Sequence, residues 1–87
     1  MPYTLLYSLR ALRDLKALPR DIQSRILSTL EGLAKQADPV REVKRLQNSP
    51  LYSLRVGSYR VILDIRKSKI TIFVLRIGPR RHVYERW

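Results

Sequence analysis

The stretch Leu54-Arg55-Val56-Gly57-Ser58-Tyr59-Arg60-Val61-Ile62 decides the reading of the chain. Apolar and polar residues alternate up to Gly57-Ser58 and resume after it. Glycine followed by serine between two alternating runs is the signature of a two-residue hairpin turn of the II′ kind. Tyr52, Leu54 and Val56 then share one face of a strand, with Ser53 and Arg55 on the other. Tyr59, Val61, Leu63 and Ile65 alternate in the same way with Arg60, Ile62 and Asp64. The period of two puts Arg55 and Arg60 together on the face opposite the apolar one.

Working outward, Arg66 to Lys69 reads as a turn and Ile70 to Ile77 as a nearly all-apolar central strand closed by Gly78-Pro79. Arg80 to Trp87 is a short basic tail. On the other side, Val40 to Pro50 reads as irregular after the Asp38-Pro39 turn signal. Upstream lie two helical patterns. Ser8 can cap the first, which carries Leu9, Leu12 and Leu15 at helical spacing. Leu18-Pro19 breaks it, because proline disfavours helix in the residue before it. Pro19 suits the first turn of a second helix, whose apolar face is Ile22, Ile26, Leu30 and Leu33. Arg20, Arg25 and Lys35 lie off that stripe. Tyr3 to Tyr7 reads as a first strand. The order is β-α-α-β-β-β. It predicts an α+β domain over residues 1–87, with a four-stranded antiparallel sheet and an αα-hairpin packed on one face. A helix hairpin that returns to the end where the first strand finished makes that strand antiparallel to the last.

At 87 residues the chain is one domain with one core. It has 18 Lys and Arg against 7 Asp and Glu, a net charge of +11. Self-repulsion at that density opposes compaction and is relieved by a polyanionic partner. Thirteen of the 18 are arginine, whose planar fork matches a phosphate bidentately, so nucleic acid leads among the candidates. Cysteine is absent, which excludes disulfides and thiolate metal sites. The N-terminus lacks the pattern of a signal peptide, and no apolar run approaches the roughly 18 residues of a membrane span. A soluble, cytoplasmic protein is expected.

Several enzyme chemistries lack their residues. One histidine does not make a two-histidine nuclease, no carboxylate cluster has metal-ligand spacing, and three separated glycines form no phosphate loop. What remains is a set of arginines with one tyrosine: Arg55, Arg60, Arg76, Arg80, Arg81 and Tyr84. Such a set suits RNA, whose 2′-hydroxyl can attack the neighbouring phosphate without a metal or cofactor. The protein has to align that hydroxyl, move its proton, offset charge on the phosphoryl oxygens and protonate the leaving oxygen. Arginines supply the fixed charge, and a tyrosine whose phenolate is stabilised by them can move a proton. Arg76, in an apolar strand, could equally pair with Asp64.

The hairpin stretch 54–62, the segment Ile77-Gly78-Pro79-Arg80-Arg81-His82-Val83-Tyr84 and Lys44-Arg45-Leu46 together resemble the RelE/ParE toxin superfamily. The resemblance covers nearly the whole chain. It implies a type II toxin of the RelE branch, an endoribonuclease that cuts mRNA in the ribosomal A site and is silenced in a heteromeric complex by an acidic RelB-like antitoxin. Carried across residue by residue, Arg60 matches the arginine that contacts the scissile phosphate. Arg80 matches the one implicated in transition-state stabilisation or leaving-group protonation, and Tyr84 the proposed base or base-orienting group. Lys44, Arg55 and Arg81 match RNA-binding positions. The chain departs from the family pattern at Pro79 and at Tyr52-Ser53, where some members have a polar residue and a lysine pair. Two rival readings share the fold: a ParE-like toxin that poisons DNA gyrase without cutting RNA, and an inactive module that only binds an antitoxin.

Overall fold

The computed structural model describes residues 2–79. The hairpin forms as its sequence predicts. Gly57 has φ +60° and Ser58 does not enter the left-handed region, which is the II′ arrangement. Strand β1 is Thr4–Tyr7, followed by helix α1 (Leu9–Lys16) and helix α2 (Arg20–Ala34). After a 3₁₀ turn at Pro39–Glu42 come β2 (Lys44–Arg45), β3 (Tyr52–Val56) and β4 (Tyr59–Arg66). A second 3₁₀ turn, Lys67–Lys69, leads to β5 (Thr71–Pro79). Ile70 joins that turn to β5 in the left-handed conformation, φ 49° and ψ 48°, a costly place for a β-branched residue.

The sheet has five strands in the order β1-β5-β4-β3-β2, one more than the sequence predicts. The extra strand pairs Lys44 with Ser53 and Arg45 with Tyr52, inside the stretch expected to be irregular. From β2 to β5 each strand is antiparallel to the next, and β1 does pair with the last of them, but parallel to it, Thr4 facing Thr71 and Tyr7 facing Val74. The helices explain the orientation. Helix α1 has 8 residues and α2 has 15, about 12 Å against 22 Å at 1.5 Å per residue. The longer return overshoots, so that the Ala34 carbonyl at the end of α2 accepts the Tyr3 N–H, 2.7 Å away, at the start of β1. The chain therefore re-enters the sheet where β1 began, which reverses every later strand relative to the expectation.

One buried cluster joins both helices to one sheet face. Ala11 and Leu15 of α1 and Ile26, Leu30, Leu33 and Ala34 of α2 meet Leu54, Val56, Val61, Leu63, Ile65, Ile72, Val74 and Ile77. The α2 stripe is core as its spacing predicts. The α1 stripe, expected to be core as well, is so only at Leu15: Leu9 is 75% and Leu12 40% exposed. Helix α1 lies against β5 through Ala11 and Leu15 at i, i+4, where the small alanine lets it approach the strand. Ser8 caps α1 as expected, its hydroxyl accepting the Ala11 N–H at 3.0 Å, and it also donates to the Leu75 carbonyl at 2.9 Å. The opposite sheet face is less open than the alternation suggests, since Ile62, in the middle strand of the sheet, is fully buried there and Ser53 nearly so.

Candidate nucleic-acid interface

The register carries the basic residues to the face away from the helices. Arg55 pairs with Arg60 across β3 and β4, one step from the turn, and Arg60 pairs with Gly78 across β4 and β5. Lys44 pairs with Ser53, which puts it on the same face as Arg55, one strand further out. Three of the six expected site residues, Lys44, Arg55 and Arg60, thus share one side of one sheet. The other three, Arg80, Arg81 and Tyr84, lie outside the described residues.

Lys44 and Arg55 are exposed and Arg60 is half-buried. Each guanidinium spends a donor on a nearby carbonyl, Arg60 Nη1 on Tyr59 O at 3.3 Å and Arg55 Nε on Gly57 O at a long 3.4 Å. A guanidinium has five N–H donors, so most of each fork stays available to a ligand. Among the described residues no carboxylate forms an ion pair with Lys44, Arg55 or Arg60; the carboxylates of Asp64, Asp38 and Asp14 hold Arg66, Lys67 and Arg76 instead. Two like charges opposite each other on adjacent strands are destabilising. A pair with no carboxylate partner among the described residues suits a polyanion, which supplies negative charge.

Arg76 is not part of the basic face in the same sense. Its Nε donates to Asp14 Oδ2 at 3.0 Å, and Asp64 is taken by Arg66 at 3.1 Å, so the Arg76–Asp64 pairing left open by the sequence does not form. Two residues that the sequence did not single out enter here. Arg25 of α2 brings Nη1 to within 3.8 Å of where a Cβ on Gly57 would lie, at the tip of the hairpin. Asp14 accepts both Arg76 Nε and the Ile77 N–H, the latter at 2.9 Å. Neither contact has a signal in the sequence, since each joins a helix to a distant strand. Among the described residues no three His, Cys, Asp or Glu side chains group as metal ligands. Nor is any described helix long and apolar enough to cross a membrane.

Comparison with known proteins agrees with this geometry. Residues 5–84 match the family model described as the ParE toxin of the type II toxin–antitoxin system parDE. Toxin RelG of Mycobacterium tuberculosis is 31% identical over 87 residues, spanning 99% of this chain and 100% of the relative. A chain of the toxin–antitoxin complex RelBE2 from the same organism superposes with a TM-score of 0.80 and 31% identity, covering 92% of this chain and 93% of that one. A chain of the archaeal RelE–RelB complex of Pyrococcus horikoshii superposes with a TM-score of 0.77 and 27% identity, covering 94% and 99%. A basic sheet face on a β-α-α-β-β-β-β scaffold, matched end to end in sequence and in fold, makes this chain a member of the RelE/ParE superfamily of type II toxin–antitoxin toxins.

Proposed function

We propose that the protein is a ribosome-dependent mRNA endoribonuclease that inhibits translation and is neutralised by an acidic RelB-like antitoxin. The observation that carries the reading is the Arg55–Arg60 pair, without carboxylate partners among the described residues, on the sheet face away from the helices. In this mechanism Arg60 offsets charge on the scissile phosphate as the 2′-hydroxyl attacks it. Arg80 stabilises the same transition state or protonates the leaving 5′-oxygen, and Tyr84 assists removal of the 2′-hydroxyl proton. Lys44, Arg55 and Arg81 hold the RNA backbone. No metal or cofactor takes part. Arginine is a poor proton carrier at neutral pH, which suits an enzyme whose substrate is aligned for it by the ribosome. The ribosome dependence implies action in the cytoplasm.

The antitoxin reading rests on relatives whose solved structures are toxin–antitoxin complexes and on the +11 charge of this chain. Leu6, Leu9 and Leu12, exposed by 46, 75 and 40%, are the apolar surface we assign to that partner. The name of the matching family model favours a second reading, a ParE-like poison of DNA gyrase.

Primer extension on mRNA from a translating extract tests the proposal, with wild type, Arg60→Ala, Arg80→Ala and Tyr84→Phe. Ribosome-dependent cuts that disappear in both arginine variants are expected. Folded wild-type protein that makes no cut and instead inhibits gyrase supercoiling would replace the nuclease reading with the second one. Antitoxin binding without growth arrest would leave only an inactive module.

A further inference from the structure

Among the described residues, strand β5 loses one of its two strand neighbours, β1, halfway along. Its pairing with β1 ends at Tyr7 and Val74, and the last backbone bond there runs from the Ser8 N–H to the Val74 carbonyl at 2.9 Å. Past that point the register with β4 is also irregular, with an extra residue on the β5 side opposite Ile62/Leu63. Past the bulge β5 keeps β4 on one side, and among the described residues no strand lies on the other, so that edge is left to be set by another element. Helix α1 takes the place of the missing strand. One oxygen, Asp14 Oδ2, accepts the Ile77 N–H at 2.9 Å and Arg76 Nε at 3.0 Å, with both side chains largely buried (18% and 12% exposed).

Local preference does not account for an aspartate here. Asp14 stands in the second half of α1, two residues before its end, where the helix dipole disfavours an anion. A buried ion pair is also a weak way to gain stability compared with apolar packing, and its best-attested use is to fix register. The register fixed is that of the site. Ile77 faces Val61 and Gly78 faces Arg60, so the clamp lies one residue from the backbone opposite Arg60, and that backbone runs on to Arg80 two residues later.

We infer that Asp14, acting through Arg76 and the Ile77 N–H, is a positioning residue that sets the end of β5 against Arg60. The inference rests on the proposed cleavage reaction. Asp14 touches no substrate; it aligns the groups that do. Asp14→Asn keeps an oxygen for the Ile77 N–H but loses the charge facing Arg76, and Asp14→Ala loses both.

The test uses the full chain, released from its antitoxin, with two readouts: amide hydrogen exchange at Ile77 and Gly78, and single-turnover mRNA cleavage over a range of ribosome concentrations. In Asp14→Ala, exchange at Ile77 should accelerate. The cleavage rate at saturating ribosomes should fall about 10- to 100-fold, the scale of a misplacement near 1 Å. The ribosome concentration for half-saturation should stay within about twofold, because binding and alignment are separate terms. Asp14→Asn should recover part of the rate. Folded Asp14→Ala that cuts at the wild-type rate overturns the inference, and so does a loss confined to half-saturation. If Asp14→Ala fails to fold, Asp14→Asn and Arg76→Gln carry the same comparison. Wild type that cuts nothing overturns the nuclease reading and the positioning role together, while exchange at Ile77 still shows whether the clamp exists.

Discussion

Replacing Arg55 by glutamate should make the protein more stable and less active at once. Arg55 and Arg60 are register partners on adjacent antiparallel strands, so their Cβ atoms lie about 5 Å apart. Two unit charges held about 5 Å apart repel by about 0.8 kcal/mol in a water-like dielectric, and guanidiniums that splay beyond the Cβ separation repel less. Measured cross-strand pairs span roughly 0.2–1 kcal/mol, so turning a repulsion into an attraction should gain about 0.4–2 kcal/mol. For a domain of this size each kcal/mol raises the melting temperature by roughly 4–8 °C, which gives a rise of about 2–16 °C. Urea unfolding at low and high salt measures the gain, which should shrink at high salt because the pair is exposed on one side and screening shortens with ionic strength. Under the same conditions Arg55→Glu should raise the ribosome concentration needed for half-maximal cleavage. A destabilised Arg55→Glu, a gain that ignores salt, or undiminished cleavage would each refute the argument that this pair is kept for a polyanion at the expense of stability.

Three other outcomes follow from geometry described above. Ser8→Ala removes both the α1 cap and the hydroxyl bond to Leu75, so it should lower stability by about 1–3 kcal/mol in urea unfolding, against a cap alone at roughly 0.5–2. Ile70→Asn should raise it by about 1 kcal/mol, because a left-handed backbone costs a β-branched residue roughly 1–2 and suits asparagine; an unchanged midpoint would place the strain elsewhere. Burial and then the Glu31 carboxylate push the Tyr7 phenol above its ordinary value of 10. The folded state therefore holds that proton more tightly than the unfolded chain, and the stability tied to it is complete below pH 10 and lost as pH rises through the raised value. Tyr7→Phe should lose less stability over that alkaline range than wild type, measured as melting temperature against pH.

The parts of the fold that were legible in the sequence are those written in local pattern. Gly57-Ser58 specified its turn, the period of two specified the faces of β3 and β4, and Ser8 and Leu18-Pro19 marked the helix boundaries. Strand β2 was not legible because two exposed basic residues, Lys44 and Arg45, have no alternation to detect, and only their partners on β3 make them a strand. The direction of β1 was misread because it depends on unequal helix lengths and on where Ala34 ends up, not on residues 4–7 themselves. Leu9 and Leu12 were read as core because spacing reports that a helix has an apolar face and not which face meets the sheet. At the candidate site, alternation put Arg55 and Arg60 together, while Asp14 and Arg25 act across 62 residues and from another layer, beyond any motif.

The sheet order has a consequence for how the chain is made. Among the described residues the first strand pairs with β5 alone, and β5 sits between β1 and β4. While the chain emerges from its own ribosome, β2, β3 and β4 can pair as they appear, but β1 waits until residues 71–79 are clear of the exit tunnel. The surface opposite Arg60, supplied by Gly78, is then among the last pieces to form. On the cleavage reading proposed above, a chain whose last strand is still in the exit tunnel lacks the backbone that faces Arg60, so the site is assembled only as synthesis ends.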